Sequence, residues 1–472
     1  MKKLAFQGGS YSLALTAIVL AILVAVNMLV SALPTALTRY DISATKLYSI
    51  TSNTKVVVND LEEDVTIYWV VQSDKEDSVI ENLLGKYESL SKHIEVVKKN
   101  PDVFPTFTAK YTEETVPNNS LIVESGDRSR YISYNDIYLA ETDMNSYQPQ
   151  VSFDGEGAIT SAIDYVTNED QPQLYLLEGH GEEEIPETFR EQLAKENVEI
   201  STMSLLNVDE IPEEADCVFI YAPSSDISTK EKKMLEDYVK DGGKLMVMAG
   251  PTEDGMLENL YSLLADYGVE SAEGIVVEGN REYYAFQTPL ILLPDIQEND
   301  ITSPLVEGNY YTIVPAAQGM TVGDSGEAAV TELLTTSEDA FQKEAGYAIE
   351  TFEKEEGDID GPFAVAVSIA CEPENEDSGE IVWVSSSNFI DDMYNAYSSG
   401  ANLEFTMNAL SSMIGENEAV AIRSKSLNYN YLTISESTAA TMKLVMIVVI
   451  PLAYLAVGVI MVLKRRMRNE AV

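Results

Sequence analysis

The plainest pattern along the chain is the absence of polar interruption at its two ends. No charged residue occurs between Gln7 and Thr38, and the central run LALTAIVLAILVAVNMLVSAL is long enough to cross a bilayer as a helix. A second uncharged run, LVMIVVIPLAYLAVGVIMVL, extends from Leu444 to Leu463. Each predicts a transmembrane helix, over 11–33 and 440–463, and Pro451 is compatible with this because membrane helices tolerate proline. The first run exceeds the apolar core of a cleaved signal, which is about 7–15 residues. It has no neighbouring cysteine for a lipid anchor.

Between these runs the hydrophobic period switches repeatedly. VTIYWVV, from Val65, reads as a strand, and SVIENLLGKYESLSKHIEVV places Ile80, Leu83, Leu84, Tyr87 and Leu90 at helical spacing. NSLIVESGDRSRYISYNDI reads as two strands turning at Gly126-Asp127. These elements predict a first small α/β domain over 40–150.

A second domain is expected over 151–430. DCVFIYAP reads as a buried strand and STKEKKMLEDYVKD as a helix, with Ser228 and Glu231 at the spacing of a capping box. Gly242-Gly243 closes that helix and KLMVMAGP is the next strand. Strand, helix and strand in so short a span form a crossover unit and imply a parallel sheet. QLYLLEG followed by PETFREQLAKEN repeats the pattern. MLENLYSLLADYG and ANLEFTMNALSSMIG are further helices, and GEIVWVSSS a further strand.

Charge sets the expected orientation. Lys2 and Lys3 precede the first run and KRRMR follows the second, so the positive-inside bias puts the tips 1–10 and 464–472 in the cytoplasm and the domains outside the membrane. The formal net charge is −48, and because both tips are basic the part between them is more acidic still. Such a field excludes nucleic acid as a partner. Two separated histidines, His93 and His180, and two separated cysteines, Cys217 and Cys371, lack the paired spacing of a metal site, so no metal and no cofactor is expected. An oxidising exterior would permit a disulfide, but free thiols are the expectation for so few cysteines.

The candidate site is the loop that leaves the strand QLYLLEG: Glu178, Gly179, His180, Gly181 and Glu182. It follows the carboxyl end of a predicted parallel strand, where open α/β sheets tend to bind ligands. Glu182, Glu183 and Glu184 suit a helix dipole but would repel a phosphate. DGGKLM lacks the Ser or Thr of a nucleotide-binding loop, and no G-x-S-x-G elbow occurs anywhere. Three readings of the loop stay open: contact with a ligand or partner, a structural turn fixed by the imidazole, or His180 acting as a base with the flanking carboxylates.

Several strings together resemble the gliding-motility-type accessory proteins of ABC transporters, the GldG-like family. They are YDISATKLYSITSNTKVVVNDLEEDVTIYWV, FDGEGAITSAIDYVTNEDQPQLYLLEGHGEEE, DCVFIYAPSSDISTKEKKMLEDYVKDGGKLMVMAGP, ANLEFTMNALSSMIGENEAVAIRSKS and the final IPLAYLAVGVIMVLKRRMR. The resemblance spans nearly the whole chain. It implies a non-catalytic extracytoplasmic accessory or binding subunit that works with a separate permease and ATPase. The implied fold is a doubly wound domain similar to class-I glutamine amidotransferases without their nucleophile. By position, Gly155, Glu156 and Ala158, the loop Gly179 to Glu182, and Pro223, Gly242 and Gly243 match the family strings. The chain departs at ENDITSP, 298–304, where relatives often carry a His-Pro-Ile-Thr-like segment. An extracytoplasmic hydrolase using His180 and a structural cell-surface protein are the alternative functions. On the expected topology, a membrane-impermeant maleimide added to intact cells labels an Asp241→Cys variant; labelling only after lysis would contradict that orientation.

Overall fold

The computed structural model describes residues 50–414, apart from 144–147, 254, 327, 374, 376 and 377, together with Ile18, Ile22, Lys425 and Ser426. The two predicted membrane segments, apart from Ile18 and Ile22, and both predicted cytoplasmic tips lie outside the described residues. Among the described residues no helix is long and apolar enough to cross a membrane.

The first domain begins with helix α1 (Ser52–Asn59), whose N-cap Thr51 accepts from the Thr54 amide. Strand β1 (Val65–Val70) alternates buried and half-buried residues. It lies between β2 (Ile94–Lys99), which is parallel to it, and β3 (Ser120–Ser125), which is antiparallel. Helix α2 (Ser78–Leu90) crosses from β1 to β2, is capped by the Asp77 carboxylate, and buries Ile80, Leu83, Leu84 and Tyr87 as its spacing predicts. Strand β4 (Arg128–Ile132) pairs with β3 as the predicted hairpin, with Gly126 at the left-handed φ of +55° that the turn requires. A separate hairpin, β5 (Tyr138–Asp143) and β6 (Gln148–Phe153), receives Lys425 and Ser426 as a third short strand against β6.

Helix α3 (Gly155–Thr167) follows β6. Its apolar residues Ile159, Ile163 and Val166 share one core with Trp69, Leu83, Tyr87 and Leu121. The first core therefore runs past the 150/151 boundary drawn from the sequence, because this helix buries its apolar face on β3 and β4. Glu156, only 2% exposed, sits in the first turn of α3. Its Oε1 accepts from the Thr51 amide at 2.6 Å and the Thr54 hydroxyl at 2.9 Å. The Tyr87 hydroxyl, which also shares a hydrogen bond with Thr160, donates to the Glu156 carbonyl. Glu156 thus ties the first described residues of the chain to the root of α3.

The second domain is built on a central, mostly parallel sheet. β7 (Gln173–Leu177), β8 (Glu199–Met203), β9 (Cys217–Tyr221) and β10 (Lys244–Met248) are mutually parallel where they pair. Helices α4 (Glu187–Lys195) and α5 (Thr229–Lys240) make the crossovers and α6 (Glu258–Ala265) follows β10. Further along, the strands β11 (Val269–Ser271), β12 (Met320–Val322), β13 (Ala329–Thr335) and β14 (Ala364–Ala370) form an antiparallel flank. β15 (Glu380–Val384) joins that flank to β10, running parallel to β10 and antiparallel to β14. The parallel part therefore has the order β8-β7-β9-β10-β15.

Both faces of the middle of this sheet are covered, which is why β9 and β10 are buried and apolar almost throughout rather than alternating. Phe219, Tyr221, Met246 and Met248 face Phe189 and Leu193 of α4 and Phe405 and Leu410 of the last helix, α7 (Ala401–Ile414). Val218, Ile220, Leu245 and Val247 face Leu235 and Val239 of α5 and Leu260 and Leu264 of α6. Cys217 and Cys371 are free thiols; burial pushes the Cys217 thiol up to about 12.

The domains are joined through Asn197, which has a φ of +58° at the end of α4. Its side-chain amide donates to the Ser161 carbonyl at 2.9 Å and to Asp164 Oδ2 at 2.7 Å, and its oxygen accepts from Arg130. Removing the Glu156 carboxylate leaves buried donors unpaired, at a cost of about 1–3 kcal/mol. Glu156→Ala is expected to lower the urea midpoint of the first domain, followed by Trp69 fluorescence in a Trp383→Phe background. An unchanged midpoint would show that the carboxylate does not hold α1 to α3.

Candidate functional site

The chain reverses direction across the sheet between β7 and β9. The crossover from β7 leads outward to β8, and the next one passes back over β7 to β9. In open α/β sheets the crevice beyond the carboxyl ends of strands at such a reversal is the usual place for a ligand. The predicted Glu178–Glu182 loop leaves β7 at this point, and the loop 222–228 leaves β9 beside it.

Backbone bonds stitch the two loops together. The amides of Ser224 and Ser225 donate to the His180 carbonyl at 3.0 and 2.9 Å, and the Ser225 hydroxyl adds a bond at 2.9 Å. Gly181, at φ +70°, has no room for a side chain, since a Cβ there would stand 2.1 Å from Ser224 Oγ. Gly179, at φ +125°, faces Ser204 Oγ at 3.2 Å in the same sense.

The His180 side chain is 6% exposed and lies between two carboxylates. Nδ1 is 3.1 Å from Glu182 Oε1, and the other oxygen of Glu182 accepts from the His180 amide at 2.7 Å. On the far side Nε2 is 3.2 Å from Oε1 of Glu231, a side chain only 3% exposed. No aligned hydrogen-bond donor reaches this oxygen among the described residues, so it meets the ring chiefly as charge. Glu231 Oε2 closes the predicted capping box, accepting from the Ser228 amide at 2.8 Å.

The three groups hold one another charged. The hydrogen bond to Glu182 raises the His180 pKa above its ordinary value; burial opposes the shift and the charges of Glu182 and Glu231 reinforce it. Burial alone would push Glu182 up, but its bonds to the imidazolium and to backbone amides hold it below the usual carboxylate range. Burial likewise opposes ionisation of Glu231, and its bonds to Ser228 together with the His180 charge prevail. Both ring nitrogens are turned to carboxylates, which favours the protonated ring, a form with no lone pair to take a proton.

Of the predicted loop residues, the structure brings His180 and Glu182 together and packs Gly179 and Gly181 against neighbouring serines. Glu178 is exposed instead, and its amide donates to the Met203 carbonyl across the β7–β8 edge. The sequence reading recognised Glu231 only as a helix cap. A capping-box glutamate leaves one oxygen uncommitted, and the first turn of the helix after β9 lies at the same sheet end as the loop after β7. That coincidence was the available signal. At ENDITSP, Asn299 Oδ1 accepts from the amides of Ile301 and Thr302, so the segment is an asparagine-fixed turn.

Five parallel strands with one reversal, covered by helices on both faces, define a doubly wound α/β module. Residues 171–412 match the auxiliary family described as an ABC-type uncharacterized transport system, and the chain belongs to that family. Residues 44–139 match a domain of unknown function, DUF7088. No curated protein matches the chain. Among solved structures it is similar to the mmIFT52 N-terminal domain, at 14% identity and a TM-score of 0.38, covering 52% of this chain and 97% of that one. It is also similar to PurLQS from Thermotoga maritima (11%, 0.29, 52% and 99%). A third is a ThuA-like protein from Parabacteroides merdae (10%, 0.28, 52% and 91%). These overlaps are too slight to bear on function.

Taking one partner from a buried ionic group leaves the others uncompensated, at about 3–5 kcal/mol for a fully buried pair. The loops that carry this cluster are partly exposed, so His180→Ala is expected to destabilise the second domain by about 2–3 kcal/mol. The raised His180 contributes fully below its unfolded value of about 6.5 and loses its effect as pH climbs through its folded value. The lowered glutamates contribute above their unfolded value of about 4.3 and lose theirs as pH falls through their folded values. Urea unfolding of both forms across pH should give a difference largest between those limits. A difference that does not vary with pH would contradict the charged cluster.

Proposed function

We propose that the chain is a membrane-anchored, non-catalytic accessory subunit of an ABC transporter, working beside a separate permease and ATPase. The family match supports an accessory role in transport. The observation that carries the non-catalytic part is the His180 cluster: the protein's own imidazolium and two glutamates fill the position where a doubly wound sheet would hold a ligand. A hydrolase would need His180 as a free base, whereas Glu182 and Glu231 favour its protonated form. In this reading Gly179, His180, Gly181 and Glu182 shape a rigid exit from β7 that presents the exposed Glu178 to a partner.

The uncharged segments 11–33 and 440–463 would hold both domains at the outer face of the membrane with both termini in the cytoplasm. The GldG-like, gliding-motility-type branch of the family and the likeness to class-I glutamine amidotransferases without a nucleophile belong to the same reading. They are supported by the strings around Gly155, Glu156 and the Gly179–Glu182 loop.

Solubilised in mild detergent and pulled down from its own cells, the protein is expected to bring with it an ATPase and a multi-span permease. His180→Asn, which keeps a polar side chain of similar shape, should retain both partners. Recovery of the chain without either partner would refute the accessory role. A hydrolytic activity lost in His180→Asn would support the enzyme instead.

A further inference from the structure

The residues after β2 make an apolar, aromatic surface that the accessory role leaves unused. Val103 is 64% and Phe104 51% exposed. Behind them the Tyr68 and Phe107 rings stand 4.9 Å apart and those of Phe107 and Tyr111 5.3 Å apart. Lys99 lies over this group, with Nζ 5.2, 5.4 and 5.1 Å from the ring centres of Tyr68, Phe104 and Phe107. Lys110 covers Tyr111 and pairs with Glu124 at 3.1 Å. Lys99 pairs with no carboxylate among the described residues. Single exposed apolar side chains are ordinary. Two at a loop tip, backed by edge-on and tilted rings and an ammonium on an aliphatic stem, have the composition of a membrane-interface contact.

The position of this loop gives the second support. The continuous described stretch begins at residue 50 and is tied down by the bond from Thr51 to Glu156; the last described residues lie along β6, where Lys425 pairs with Phe153. Both ends therefore meet at the corner 152–156. Tyr138, opposite Phe153 in the hairpin, donates to Asp77 at the start of α2. The same turn before α2 reaches the aromatic loop, with Gln72 donating to Asp102 and Asn100 to Ser73. One end of the first domain thus carries both chain exits and the exposed apolar tip.

We infer that this end rests on the lipid bilayer, with Val103 and Phe104 entering the interfacial layer and Lys99 reaching toward lipid phosphate. The inference rests on the reading that both chain ends lead into the membrane. Asp102 at the loop's base and the acidity of the whole chain limit electrostatic attraction, so apolar insertion supplies the contact.

The test uses the full chain in vesicles of phosphatidylcholine and phosphatidylglycerol with brominated acyl chains. Phe104→Trp is compared with Leu206→Trp, a site 68% exposed in the second domain; the native Trp69 and Trp383 are buried and set the background. The expected result is a blue-shifted emission quenched by the brominated lipid at position 104 and neither effect at 206. Position 104 unquenched, or quenched no more than 206, overturns the inference. If 104 is unquenched in vesicles but shielded from iodide in a complex with the permease, the tip docks on protein and the bilayer assignment fails. Alkaline washing reports separately on the anchors: a chain that is quenched at 104 but released by alkali contradicts the anchoring while supporting the lipid contact.

Discussion

The His180 ring between Glu182 and Glu231 joins the two loops that leave the sheet on either side of its reversal. Two carboxylates taken out of water would repel each other and each would resist ionisation. One cation between them reverses both effects, so the three charges are stable together and costly apart. The glycine at 181 suits the same arrangement, because a β-carbon there would collide with the Ser224 hydroxyl where the two loops meet. A buried ion group of this kind contributes less net stability than its contacts suggest. Its effect is specific placement: it fixes the exit of β7 against the first turn of α5.

Much of the fold could be read from periodicity. The strand β7 with its helix α4, the β9–α5–β10 unit, the β3–β4 hairpin and α2 all stand where their apolar spacing puts them. The fate of α3 was not legible. Its sequence says that one face is apolar, and only the packed structure says that β3 and β4 of the first domain cover that face. The region 270–378 was equally opaque, because many of its strands are short pieces such as Ile275–Val277 and Phe341–Lys343, too brief for a period to show. At the site, His180 and Glu182 were visible as neighbours in sequence. Glu231 was hidden by a competing and correct explanation, its role as a helix cap.

The structure and the family match divide the functional question. Membership in an ABC transport auxiliary family gives the chain a role beside a transporter. The site then bears on what kind of role. A doubly wound sheet offers a crevice at its reversal, and here that crevice holds a histidine between two buried carboxylates. In the proposed arrangement the first domain is the part tied to the membrane, through Glu156 and β6, while Asn197 and Arg130 carry that attachment into the second domain. The sheet domain would then be presented to partners as a rigid body rather than as an enzyme.

The central claim is that His180 is charged in the folded protein near neutral pH. Selective isotopic labelling of the histidine ring nitrogens, read by NMR with His93 as an internal comparison, measures this directly. Both His180 nitrogens are expected to be protonated at neutral pH, with a titration midpoint above that of an ordinary histidine. A neutral ring with a single protonated nitrogen at neutral pH, or a midpoint at or below the ordinary value, would contradict it.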